Sequence, residues 1–176
     1  MSDFSHSLVD QSISLADAPA EAERMIAWLQ DRRIIGMTKD EDGEYRRGEN
    51  FGDALTDDWR QAQSISFSLK VYTERRVFLP LENGERLHCP ACGAEQMESN
   101  ENWFEAVNRW HEGDDAASAT CVGCGAQAPV TQWRCEAPWG FGNLGFEFND
   151  WTLKSEFIAE FQRALGRPVV VVPCWC

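Results

Sequence analysis

Hydrophobic and polar positions change period several times along the chain. Between Pro19 and Arg32, Ala22, Met25, Ile26 and Leu29 recur at helical spacing, with Pro19 suited to a first turn and Gly36 just past the end. From Ser64 to Tyr72, Ile65, Phe67, Leu69 and Val71 alternate with Ser64, Ser66, Ser68 and Lys70, the period of a strand with one wet face. Val77 to Leu81 reads as its partner strand, with Pro80 marking an edge or a strand end. The charged, Gly-containing stretch from Thr38 to Asp58 reads as a solvated loop. Later, Leu144, Phe146 and Phe148 alternate after a Gly-rich turn. Phe157, Ile158, Phe161 and Leu165 then form a second helical stripe that stops at Gly166, and Pro168 precedes a buried strand from Val169 to Val172.

This order predicts an α+β fold: a mainly antiparallel sheet with two helices packed on it, the pairing direction of the short closing strand being left open. No internal repeat or long linker divides residues 1–176, so a single domain is expected, carrying a cysteine-rich module inserted over residues 87–130.

That module holds two matching motifs, Cys89-Pro-Ala-Cys92-Gly93 and Cys121-Val-Gly-Cys124-Gly125. Two residues between cysteines let one tight turn aim both sulfurs at one metal, and a following glycine tolerates the positive φ of such a turn. The repetition favours metal over a thioredoxin-like dithiol, which occurs once and follows a strand of a βαβ unit. The pattern resembles the zinc-ribbon class of knuckles, over these two motifs alone. It implies one structural Zn²⁺ on Cys89, Cys92, Cys121 and Cys124, four thiolates that leave no open coordination position. The 28 residues between Cys92 and Cys121 exceed the usual spacing. Within them Trp103, Val107 and Trp110 predict a short helix beside Phe104, with Ser99 or Asn100 as its cap.

Composition narrows the function. The chain carries 29 acidic and 16 basic residues, a net charge of −13, and residues 81–130 alone hold nine acids against Arg86 and Arg109. Such a surface repels phosphate backbones and attracts a basic partner. Nucleic-acid binding, the habitual work of zinc ribbons, is therefore the second choice, resting on the doublets Arg32-Arg33, Arg46-Arg47 and Arg75-Arg76. Residues 1–15 lack the basic start and apolar run of a signal peptide, and no segment offers the ~18 apolar residues of a membrane span. A cytoplasmic location is expected, consistent with seven cysteines that suit metal or free thiols better than a disulfide framework.

No nucleophile–base pair, P-loop or zinc-protease motif appears, so a non-catalytic protein is expected. His88 adjoins a metal ligand whose set is already complete, and His111 falls on the exposed end of the inserted helix. The adjacent acids Asp57-Asp58 and Asp114-Asp115 point apart. Cys135, Cys174 and Cys176 read as buried or idle thiols. The alternatives are a second metal site joining the Cys174-Trp175-Cys176 segment to Cys135 and a histidine, or a thiol-redox enzyme using Cys174 and Cys176. Of the eight tryptophans, Trp28, Trp133 and Trp151 are expected to fill the core. Trp139, in the turn Pro138 to Asn143, is the candidate partner-binding residue together with Trp103 and Trp110. The expectation that combines these features is a zinc-stapled, acidic protein-interaction module, in its most specific form an inhibitor or immunity-type protein for a basic enzyme such as a nuclease.

Overall fold

Alternation and helical stripe meet on a sheet in the computed structural model, which describes residues 4–57, 67–80, 86–97 and 101–175. In chain order the elements are β1 (Phe4–Asp10), α1 (Ala18–Asp31), β2 (Ile35–Lys39), β3 (Tyr45–Arg47), β4 (Ser68–Tyr72), β5 (Arg76–Phe78), β6 (Arg86–His88), β7 (Glu95–Met97) and α2 (Glu101–His111). They continue with β8 (Ser118–Thr120), β9 (Gln127–Pro129), β10 (Arg134–Cys135), β11 (Gly140–Gly142), β12 (Leu144–Asn149), α3 (Ser155–Leu165) and β13 (Val170–Trp175). The fold class is α+β.

The main layer is a six-stranded sheet of order β13-β1-β12-β4-β3-β2. Every pairing in it is antiparallel, including that of the closing strand β13 with β1. β1, α1, β4, β12, α3 and β13 follow the β-α-β-β-α-β order of a split βαβ unit. The β2–β3 hairpin extends one edge, and the cysteine module enters between β4 and β12. Leu8, Leu69, Phe146 and Phe148 point from the sheet to one side, where Met25 and Leu29 of α1 and Phe157 and Phe161 of α3 cover them. Phe161 meets Phe146 edge-on at 5.0 Å between ring centres. Gly166 takes φ 76° and ends α3, as its position predicts.

Several expectations need correction. β1 lies inside the sheet although the polar N-terminal stretch gave no expectation of a strand. Its Ser5, Ser7 and Val9 take the face opposite Leu8. Residues 38–58 contain a hairpin: Asp40 accepts hydrogen bonds from the Asp42 and Glu44 N–H groups and pairs with Arg46, which closes the turn. Gly36 does not end α1; Arg33 takes the left-handed conformation there at φ 60°, and Gly36 belongs to β2. Of the strand expected at 64–72, Ser68–Tyr72 forms β4, while residues 64–66 lie outside the described residues. β5 does not pair with β4. It pairs with β11, which forms where a Gly-rich turn was expected.

The β5–β11 ribbon also changes the wet-face expectation. It lies over the second face of the sheet, where Phe78 joins Val9, Tyr72 and Val172 in a small cluster. The glycines of this region make the approach possible. A Cβ on Gly145 of β12 would land inside the Phe78 ring, and one on Gly142 of β11 would stand 2.6 Å from the Asp10 carbonyl oxygen. The remainder of that face keeps polar side chains: Ser68 donates to Glu44, and the Tyr72 hydroxyl donates to Glu147 at 2.7 Å. β13 is an edge strand with Val172 buried and Val170 and Val171 half-buried.

A third cluster belongs to the cysteine module. Trp103, Val107 and Trp110 of the expected inserted helix α2 pack with Leu87, Ala119, Val130 and the buried thiols of Cys89 and Cys121. Trp133, Trp139 and Phe141, from beyond residue 130, complete the same cluster. The caps expected at Ser99 or Asn100 lie outside the described residues.

Candidate metal centre

Each knuckle is the tip of a β-hairpin. β6 and β7 pair in the register His88↔Glu95, and the chain between them turns through Cys89 and Cys92. β8 and β9 pair in the register Thr120↔Gln127 around Cys121 and Cys124. The turns are closed the same way. Gly93 N–H donates to the Cys89 carbonyl at 2.8 Å and Cys89 N–H to Ala94 at 3.0 Å; Gly125 and Cys121 repeat this at 2.9 and 2.8 Å. Gly93 and Gly125 have φ of 71° and 74°, the conformation that their place in the motif predicts.

The four sulfurs come together, all within 4.8 Å of one another. Cys89 Sγ stands 3.9 Å from Cys124 Sγ, and Cys92 Sγ 3.8 Å from Cys121 Sγ. Those separations are far beyond a disulfide bond. Four thiolates about 2.3 Å from a tetrahedral metal stand roughly 3.8 Å apart, so the arrangement is compatible with a zinc-binding site. Backbone N–H groups point at the sulfurs as well: Ala91 to Cys89 at 3.4 Å, Ala94 to Cys92 at 3.5 Å and Gly123 to Cys121 at 3.4 Å. These donors favour thiolate over thiol.

Thiols this close interact strongly when they ionise. The Cys124 N–H draws the Cys121 thiol down to about 7. At Cys92 the Ala94 N–H pulls in the same direction, yet hydrogen bonds with Cys124, Cys89 and Cys121 push it up to about 12. A divalent cation among the sulfurs removes that conflict by compensating the accumulated charge. Cys89 and Cys121 are buried against the tryptophan cluster, while Cys92 and Cys124 are exposed.

Supports around the sulfurs were not legible in the motif. Gln96 of β7, almost fully buried, accepts from the Val122 N–H at 3.2 Å and so ties one knuckle to the other. Asn102 of α2 accepts from the Thr120 N–H at 3.1 Å, fixing the inserted helix to the second hairpin. Arg75 lays its guanidinium 3.9 Å over the Trp110 ring, donates to the Trp110 carbonyl and pairs with Asp115 at 2.7 Å. Nothing in the spacing of Gln96, Asn102 or Arg75 announces these contacts, because each depends on packing between elements distant in sequence.

The other candidate residues go elsewhere. Trp103, Trp110 and Trp139 do come together, with Trp103 and Trp139 edge-on at 5.5 Å, but as a closed core and not as a contact patch. Their exposures are 0, 6 and 7%. An interface anchor must offer surface, and these rings have already buried theirs against one another and Phe141. Trp133 and Trp151 are buried as expected, and Trp28 is half-buried against Phe157 and Phe161. Cys135 lies on β10 of the three-stranded sheet and Cys174 on β13 of the six-stranded one, and among the described residues neither belongs to a group of three or more potential metal ligands. Cys176 lies outside the described residues. His111 is exposed, and His88 takes the face of β6 opposite Leu87 and Cys89, away from the buried thiols.

No family model, curated protein or solved structure matches this chain. Among the described residues no helix is long and apolar enough to cross a membrane.

Proposed function

We propose that the protein is a non-catalytic interaction module, stapled by one structural Zn²⁺ on Cys89, Cys92, Cys121 and Cys124, whose partner is a basic protein. One observation carries the choice of partner. The outward face of α2 and the turn after it present Glu101, Glu105, Glu112, Asp114 and Asp115 to solvent. Of these, Asp115 is engaged by Arg75. Phe104, 44% exposed, stands among the carboxylates and supplies the apolar contact that the buried tryptophans do not. An acidic field accelerates encounter with a positively charged surface, and an aromatic ring within it adds desolvated contact area. A closed set of four thiolates supplies no site for substrate, which favours a structural metal. An inhibitor or immunity-type protein that masks a basic enzyme such as a nuclease is the specific form of this reading. The cytoplasm is the compartment that suits it.

The test is affinity capture from the native host followed by binding measurements on the captured protein. A basic partner is expected, held less tightly as salt rises and weakened by Glu105→Lys with Glu112→Lys, and by Phe104→Ala at constant charge. Capture that is indifferent to all three substitutions, or tight salt-sensitive binding to DNA or RNA instead, would overturn the proposal.

A further inference from the structure

The three-stranded sheet β10-β6-β7 has two unlike faces. Leu87, Gln96 and Cys135 turn towards the tryptophan cluster. On the other face, His88 of β6 stands directly across from Glu95 of β7. Glu136, just after β10, donates its N–H to the Arg86 carbonyl at 3.0 Å and lies diagonally beside His88. One imidazole nitrogen and one oxygen from each carboxylate all fall within 4.8 Å of one another.

We propose that His88, Glu95 and Glu136 form a second divalent-cation site, separate from the four cysteines and built of nitrogen and oxygen donors instead of thiolates. Donors around a first-row ion at about 2.0–2.2 Å lie roughly 3–4 Å apart, so rotation of side chains that are exposed or half-buried closes the remaining distance. The chemistry of the set names the class. Two carboxylates balance a 2+ charge, and a neutral imidazole favours Zn²⁺, Co²⁺, Ni²⁺, Fe²⁺ or Mn²⁺ over the all-oxygen preferences of Ca²⁺ and Mg²⁺. The four thiolates next door suit soft or borderline metal, so an ion that both sites accept is told apart by the presence or absence of thiolate charge transfer. Three protein ligands leave a coordination position for water or for a donor from a partner, which the tetrathiolate does not.

Two guanidiniums share this face: Arg134 of β10 stands directly across from His88 and is exposed, and Arg86 pairs with Glu95. Arg86 donates to Glu95 at 3.0 Å, with both side chains about half exposed at 52 and 46%. An ion pair that open to water is too weak to exclude a divalent ion. It predicts an opposite-signed control: releasing Glu95 from Arg86 tightens the site. The hairpin supplies a link to the first centre, since His88 and Glu95 are its last pair before the Cys89 knuckle.

The experiment titrates Co²⁺ into protein whose four-cysteine site has first been filled with zinc, with zinc content followed throughout by metal analysis. A further equivalent is expected, giving weak d–d bands and no thiolate charge-transfer band. Glu95→Gln with Glu136→Gln weakens it by at least about tenfold, His88→Gln does likewise, and Arg86→Gln strengthens it. All four positions lie at least partly at the surface, and circular dichroism checks that the variants fold. No Co²⁺ beyond that displacing zinc, or a further equivalent unmoved by the Glu95 and Glu136 substitutions, would overturn the proposal. A charge-transfer band that grows as zinc is lost reports on the thiolate centre alone, so failure of one site is distinguishable from failure of the other.

Discussion

His6 shows how one residue converts burial into pH dependence. It sits in β1 between Phe148 and Pro173, with its ring edge-on to Phe4 at 4.6 Å. Its Nδ1 accepts the Leu153 N–H at 3.2 Å, a bond that exists only while that nitrogen is unprotonated. Burial lowers its pKa below the ordinary histidine value, and the hydrogen bond to the Trp151 backbone opposes this without reversing it. The unfolded chain, with an ordinary histidine near pKa 6.5, takes up the proton first as pH falls. His6 therefore contributes stability that is present above about pH 6.5 and is lost as pH drops through the lower folded value. Thermal unfolding of wild type and His6→Asn, followed from pH 7.5 to 5, should show the wild type losing a few degrees more. Asn keeps an acceptor for Leu153 and has no proton to gain. Parallel curves would exclude the role. The four cysteines were readable at this scale because a knuckle is local: two residues of spacing and one glycine define it. The fate of Trp103, Trp110 and Trp139 was not, because whether a ring is an anchor or a core residue depends on what another part of the chain lays over it.

Among the elements, α1, α3 and β12 were legible because their apolar periods are long and each contributes to the same buried layer. β1 was missed although Phe4, His6 and Leu8 alternate with Ser5 and Ser7, since serine and histidine made the stretch look polar. β5 and β11 were misplaced for a different reason. Strand pairing is non-local, and the glycines of β11 and β12 signal turns in isolation while serving close packing in the fold. Gly145 tests that account. Its missing side chain is the space that the Phe78 ring occupies, and Phe78 packs edge-on against Tyr72 at 5.6 Å. Gly145→Ala should cost about 1–3 kcal/mol by forcing the ribbon off the sheet. Urea unfolding measures this, and adding Phe78→Leu to the same chain should recover part of the loss by trimming the ring. A Gly145→Ala protein as stable as wild type would mean that the ribbon is not held where these contacts place it. Asp10 marks the far end of the same region: fully buried, it accepts from Ser12, Ile13 and Arg167. Burial raises its pKa, but Arg167 and the Ser12 donors outweigh burial and leave the carboxyl below its usual range.

Across the whole molecule, two cores of different origin share one chain. α1, α3 and the six-stranded sheet bury their own aromatic layer, including Phe146, Phe148, Trp151, Phe157 and Phe161. The cysteine module buries Trp103, Trp110, Trp133 and Trp139 around very short strands, and its hairpins β6–β7 and β8–β9 pair over only three residues each. Isolated hairpins of that length are at best marginally stable, so on the proposed reading a metal shared by the four sulfurs holds the two knuckles in register. The first core contains none of the four cysteines. Chelation should therefore unfold the molecule unevenly. Hydrogen exchange after metal removal is expected to show lost protection in α2 and β6 to β9, while α1, α3, β1 and β12 stay protected. Near-UV circular dichroism should fall at the same chelator concentration as the tryptophan cluster loosens, with much of the helical far-UV signal retained. The β5–β11 ribbon joins the module to the sheet: Phe141 belongs to the tryptophan cluster, and Phe78 packs with Val9, Tyr72 and Val172 on the face of the sheet opposite the first core. Its protection should fall between the two, because only one of its faces loses a neighbour. Simultaneous loss of protection in every element would show that the ribbon couples the cores into one cooperative unit, and that the metal supports the entire fold instead of the module alone.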